Sequence, residues 1–126
     1  MELYKTFDLI RKSNLQARRD NNYFKLLENG QALLDYVPDL IEIMVNSEHA
    51  YRKLEAKLSQ EKDELGKRNT SAWCETQAKA SEDYREYIKA EATLKWVYDS
   101  VNLSKKLAQD NENELKSTIK KKKKKI

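Results

Sequence analysis

One histidine and one cysteine are the side chains in these 126 residues best suited to act as a near-neutral base or a thiolate nucleophile. His49 lies near Tyr51, beside apolar residues that recur at helical spacing. A pH-sensitive contact is one reading of it; an ordinary half-buried or surface histidine is the one adopted. Cys74 follows Trp73 in the first turn of a predicted helix, where the helix dipole can lower a thiol pKa. A cysteine nucleophile needs a base within hydrogen-bonding reach, and the one histidine belongs to another predicted helix. Cys74 is therefore read as structural. Metal binding asks for several converging His, Cys or carboxylate ligands, and one His with one Cys makes a poor start. The chain also carries no glycine-rich phosphate loop, nucleophile elbow or HExxH pattern. We expect no catalytic residue, no cofactor, no metal site and no enzymatic activity.

The remaining chemistry is that of contact. Tyrosines 84, 87 and 98 and tryptophans 73 and 96 could stack nucleobases, but at helical spacing such rings serve as core or interface anchors. Trp73, Tyr84, Tyr87, Trp96, Tyr98, Leu103 and Leu107 are the expected protein interface. Carboxylates alternate with cations, as in Glu82, Asp83, Arg85, Glu86 and Lys89, which reads as surface pairing along a helix. At the C-terminus Lys120, Lys121, Lys122, Lys123, Lys124 and Lys125 form an unbroken run. Such a run can bind DNA or RNA phosphates by counterion release, without reading sequence.

The elements that would position these groups are helices. Ser71 to Thr118 contains no glycine and no proline, and its large apolar residues recur at steps of three and four, from Trp73 through Tyr84, Tyr87, Leu94 and Val101 to Leu115. A second seam runs Leu40, Met44, Ser47, Tyr51, Leu54, Leu58, Glu61, Leu65. Gly66 ends that helix, and Thr70 or Ser71 caps the next. The joining loop is short, so the two helices should fold back as an antiparallel hairpin. Pro38 should open or kink the first arm. Upstream, the spacing predicts helices over 2–12 and 14–29, with Ser13 as a cap and Gly30 as a stop. The expectation is an all-α fold: one helical domain over 1–119, a long coiled-coil-like hairpin (38–65 and 71–118) with short N-terminal helices. It should be elongated, with a disordered lysine tail over 120–126.

Composition agrees. Charged residues make up 37% of the chain against 39% hydrophobic, with two glycines and one proline, the balance of long helices and coiled coils. The formal charge of +4 comes from the terminal lysines: without those six, 19 basic residues face 21 acidic ones. A body so nearly neutral lacks the basic field of a dedicated nucleic-acid-binding domain. No apolar run approaches the ~20 residues needed to cross a bilayer. No secretory leader is apparent, and a lone cysteine fits a reducing compartment. We expect a cytoplasmic protein with no membrane partner.

Leu33-Leu34-Asp35-Tyr36, the stretch Ala50 to Ala56, the turn Asn69-Thr70-Ser71-Ala72, and Tyr84-Arg85-Glu86-Tyr87 leading to Lys95-Trp96-Val97-Tyr98 carry a resemblance. Over residues 33–116 the chain resembles small helical-hairpin proteins encoded by bacteriophages and prophages. That resemblance implies a non-enzymatic accessory or adaptor protein in phage DNA recombination or replication, in the host cytoplasm, with a phage or host protein as partner. Two other roles are compatible with a small phage helical protein: an anti-defence inhibitor that occludes a host enzyme, and a virion or scaffold component. The apolar surface of the longest helix further leads us to expect self-association, as a homodimer or larger.

Overall fold

The computed structural model describes residues 2–124. These residues form an all-α fold: α1 (Glu2–Arg19), α2 (Tyr23–Asp35), α3 (Val37–Gln60), α4 (Ser71–Lys79) and α5 (Glu82–Lys124). Among the described residues there is no strand, only an isolated antiparallel bridge between Lys62 and Arg68. The chain divides into two compact units. One comprises Met1–Tyr36 with Trp96–Ile126, the other Val37–Lys95, and α5 contributes to both.

In the first unit α1 and α2 pack together. The expected break at Ser13 is absent, and α1 runs on to Arg19. Ser13 instead uses its hydroxyl to accept a 3.0 Å bond from the side-chain amide of buried Asn29, which also donates to Asn14 Oδ1 at 3.0 Å. The break falls at Asn21, whose φ of 52° is left-handed. Asparagine tolerates that geometry better than most residues. Asn22 then caps α2, its side-chain oxygen accepting from the Lys25 amide at 3.1 Å. Gly30, expected to stop a helix, lies inside α2. A Cβ there would meet Val101 Cγ2 at 3.8 Å, so the glycine face of α2 lies close against α5. Phe7, Ala17, Leu26, Leu33, Val97 and Val101 form the interior of this unit.

In the second unit, α3 packs against α4, and α3 and α5 meet through Tyr51. Pro38 sits in the first turn of α3, where a missing N–H costs nothing. The predicted seam is buried or half-buried from Leu40 to Leu58, but Glu61 and Leu65 are exposed because α3 ends at Gln60 rather than Leu65. Asp63 is the cause. Its carboxylate accepts from the backbone amides of Leu65 and Lys67, both at 2.9 Å, offering the backbone an alternative to the helix. Gly66, at φ 78°, completes the turn, and Asn69 ties it back to the Leu58 carbonyl at 3.0 Å. Thr70 caps α4, accepting from the Trp73 amide at 3.2 Å.

The expected continuous helix over 71–118 is two helices. Ser81 separates them, its hydroxyl donating to the Ala78 carbonyl at 2.6 Å and accepting from the Tyr84 amide at 3.2 Å. It thus finishes α4 and caps α5, with Glu82 and Asp83 favourably placed at the positive end of the new helix dipole. At the other end, α5 continues past Thr118 to Lys124, so residues 120–124 of the expected disordered tail are helical. Lysine is a good helix former and needs only to propagate a helix already begun. Lys125 and Ile126 lie outside the described residues.

Candidate protein-interaction surfaces

The expected interface residues are divided between the two units: Trp73, Tyr84 and Tyr87 in the second, Trp96, Tyr98, Leu103 and Leu107 in the first. Tyr84 and Tyr87, near the start of α5, close around Tyr51 of α3, which is only 5% exposed. Ring centroids lie 5.0 Å apart for Tyr51 and Tyr84, 5.5 Å for Tyr51 and Tyr87, and 6.2 Å for Tyr84 and Tyr87. The rings pack on one another, and Arg52 stacks over the Tyr51 ring, 5.2 Å from its centroid. The Glu91 carboxylate beside the Tyr87 phenol, with burial and nearby Glu48, pushes its pKa from 10.0 to about 12. A phenol held so firmly protonated is suited to packing and hydrogen bonding, not to nucleophilic attack. Beside the trio, Glu75 and Lys79 pair at 2.7 Å on the surface of α4. That hydrogen bond, with the charge attraction, lowers the carboxyl pKa and raises the ammonium pKa.

Trp96 is also partly engaged within its own unit. It meets Phe7 edge-on at 6.2 Å, and Phe7 in turn meets Tyr36 at 5.7 Å. Trp96, Leu103 and Leu107 line one side of a cleft of about 100 Å³, with Leu15 and Leu26 opposite and Arg11 and Arg18 contributing to its wall. Arg11 is held by Asp8 at 3.5 Å. Tyr98 stands apart from this cleft and is 45% exposed. Five residues of helix separate Tyr98 from Leu103, a rotation of about 140° at 100° per residue, so the two occupy different flanks of α5. Trp73 belongs to α4 and is 44% exposed beside the 61–70 turn, against a shallow hollow lined by Glu61, Arg68 and Asn69.

His49 is exposed and, with Val45, Glu48 and Arg52, lines another shallow hollow. Cys74 is 1% exposed among the small residues of the second unit's interior. Among the described residues no three His, Cys, Asp or Glu side chains are placed to hold a metal ion, and no helix is long and apolar enough to cross a membrane. Lys120, Lys121 and Lys122 are exposed on the last turns of α5.

Sequence reasoning missed two groups. The buried Asn29 bond to Ser13 and Asn14 joins residues fifteen and sixteen positions apart, a pairing that no local pattern announces. The Ser81 cap was legible: a serine followed by two acids is a helix-start signal. Comparisons with protein-family models, curated proteins and solved structures find no match to this chain.

Proposed function

We propose that this chain is a non-enzymatic helical adaptor that works by protein–protein contact. The supporting observation is Tyr98. It is 45% exposed on a helix whose neighbouring residues Val97 and Val101 are buried at 0% and 5%, so the ring is held out by a firmly packed segment. A large amphipathic side chain on a pre-ordered support loses little entropy on binding and is the kind of residue that dominates interface energies. The resemblance to phage-encoded helical-hairpin proteins supports reading the partner as part of a phage recombination or replication assembly.

The test is co-purification from phage-infected cells with the native chain and with Tyr98→Ala. Recombination or replication proteins held by the native chain and lost from Tyr98→Ala are the expected result. Recovery of a host defence enzyme in their place would make the chain an occluding inhibitor, and recovery of capsid proteins would make it a scaffold component. Either result overturns the adaptor reading.

A further inference from the structure

The seam of α5 does not stop where its burial stops. Val97, Val101 and Ser104 are buried, and Ala108 and Asn111 half-buried, at alternating steps of four and three. The same alternation continues to Leu115 and Thr118, with Ile119 alongside. Yet Leu115 is 57% and Ile119 53% exposed. The charges around this bare end are segregated along the helix: Asp110, Glu112 and Glu114 precede Leu115, while Lys116, Lys120, Lys121 and Lys122 follow it. Glu112 bonds Lys116 at 3.1 Å within the helix.

We propose that the end of α5 pairs antiparallel with the same segment of a second copy of this chain. Charge sets the direction. Parallel pairing would lay Lys122, on the seam seven residues after Leu115, against its own counterpart, and like charges across a seam are repelled. Antiparallel pairing with Leu115 opposite Thr118 of the second copy lays the acidic stretch along the lysines, with Glu114 facing Lys121 on the same edge of the seam. Leu115 and Ile119 of both copies then cover one another. The overlap is roughly 24 Å of helix at 1.5 Å per residue, a short contact that suits a weak, reversible dimer. This inference goes beyond the adaptor reading and stands without it.

Sedimentation of the full chain from low to high micromolar concentration should show a monomer–dimer equilibrium. Leu115→Asp, at an exposed position, should keep the helical circular dichroism and melting temperature of the monomer while weakening the dimer at least about 100-fold. Glu114→Lys should weaken it about tenfold, and adding Lys121→Glu should restore it. Direction is read by disulfide trapping in a Cys74→Ala background. Chains carrying Asn111→Cys, mixed with chains carrying Lys122→Cys, should form the mixed disulfide in preference to either homodisulfide. Dominant Asn111→Cys homodisulfides would make the pairing parallel and overturn the proposal. A monomer at every concentration would overturn it as well. So would a monomer whose lysines bind a short DNA duplex with a steep salt dependence, since those lysines would then serve phosphates.

Discussion

Two stretches of the one helix α5 carry the same alternation of seam residues and meet opposite fates. Between Tyr84 and Ser104 the seam is occupied, by the tyrosine trio at one end and by Gly30 and Val101 in close contact at the other. From Leu115 to Lys122 the same period presents its residues to solvent. Helical periodicity says which residues share a face; it does not say whether anything lies against that face. Burial depends on cover, and the described chain provides cover for part of the stripe only.

The largest expected effect tests that contrast directly. Val97→Asp should lower the free energy of unfolding by about 4 kcal/mol, because it leaves an unpaired carboxylate where no solvent reaches. Leu115→Asp, measured where the chain is monomeric, should change it by less than about 0.5 kcal/mol. Urea titration followed by circular dichroism reads both, and similar losses would erase the distinction between the two stretches.

Next in size is the pin that holds the cover together. Asn29→Ala removes a 6% exposed amide and both of its bonds to α1, and should cost about 1–2 kcal/mol. An unchanged urea midpoint would mean that α1 and α2 stay together by apolar contact alone.

Gly30→Ala should act in the opposite direction, stabilising by about 0.5–1 kcal/mol. The residue lies within α2, and an added methyl would make ordinary contact with Val101 at 3.8 Å. Gly66→Ala is the control: at φ 78° it should destabilise. A loss of melting temperature from Gly30→Ala would mean that α2 and α5 pack more tightly than this.

The last test is read in pH and belongs to the tyrosine trio. The folded state raises the pKa of Tyr87 from 10.0 to about 12, so it favours the protonated phenol. The corresponding stability is complete below pH 10 and is lost as pH rises through about 12. Tyr87→Phe should flatten the fall in stability across that window, and ultraviolet titration of the native chain should show one phenol ionising late. A slope identical in both proteins would detach Tyr87 from Glu91.

What the sequence determined by itself was local and periodic. The lack of glycine and proline made the chain helical, and the four-and-three steps from Leu40 to Leu58 named the inner face of α3. Thr70 was legible because capping depends on a residue's own side chain; Gly66 took the left-handed geometry its lack of a side chain allows, but in the turn beyond α3 and not as the stop expected of it. Ser81 was equally legible; the unbroken apolar spacing across it favoured a single helix, and a local cap proved stronger. Tertiary structure decided the rest. Gly30 and Ser13 carry stop and cap signals, yet both lie inside helices that tertiary packing carried through them, Gly30 facing Val101 and Ser13 satisfying buried Asn29. Among the aromatics, Tyr84, Tyr87 and Trp96 found partners within the chain, while Trp73 and Tyr98 kept an open side. Sequence spacing places a ring on a helix, but whether it packs or projects depends on the shape of what arrives from elsewhere in the chain.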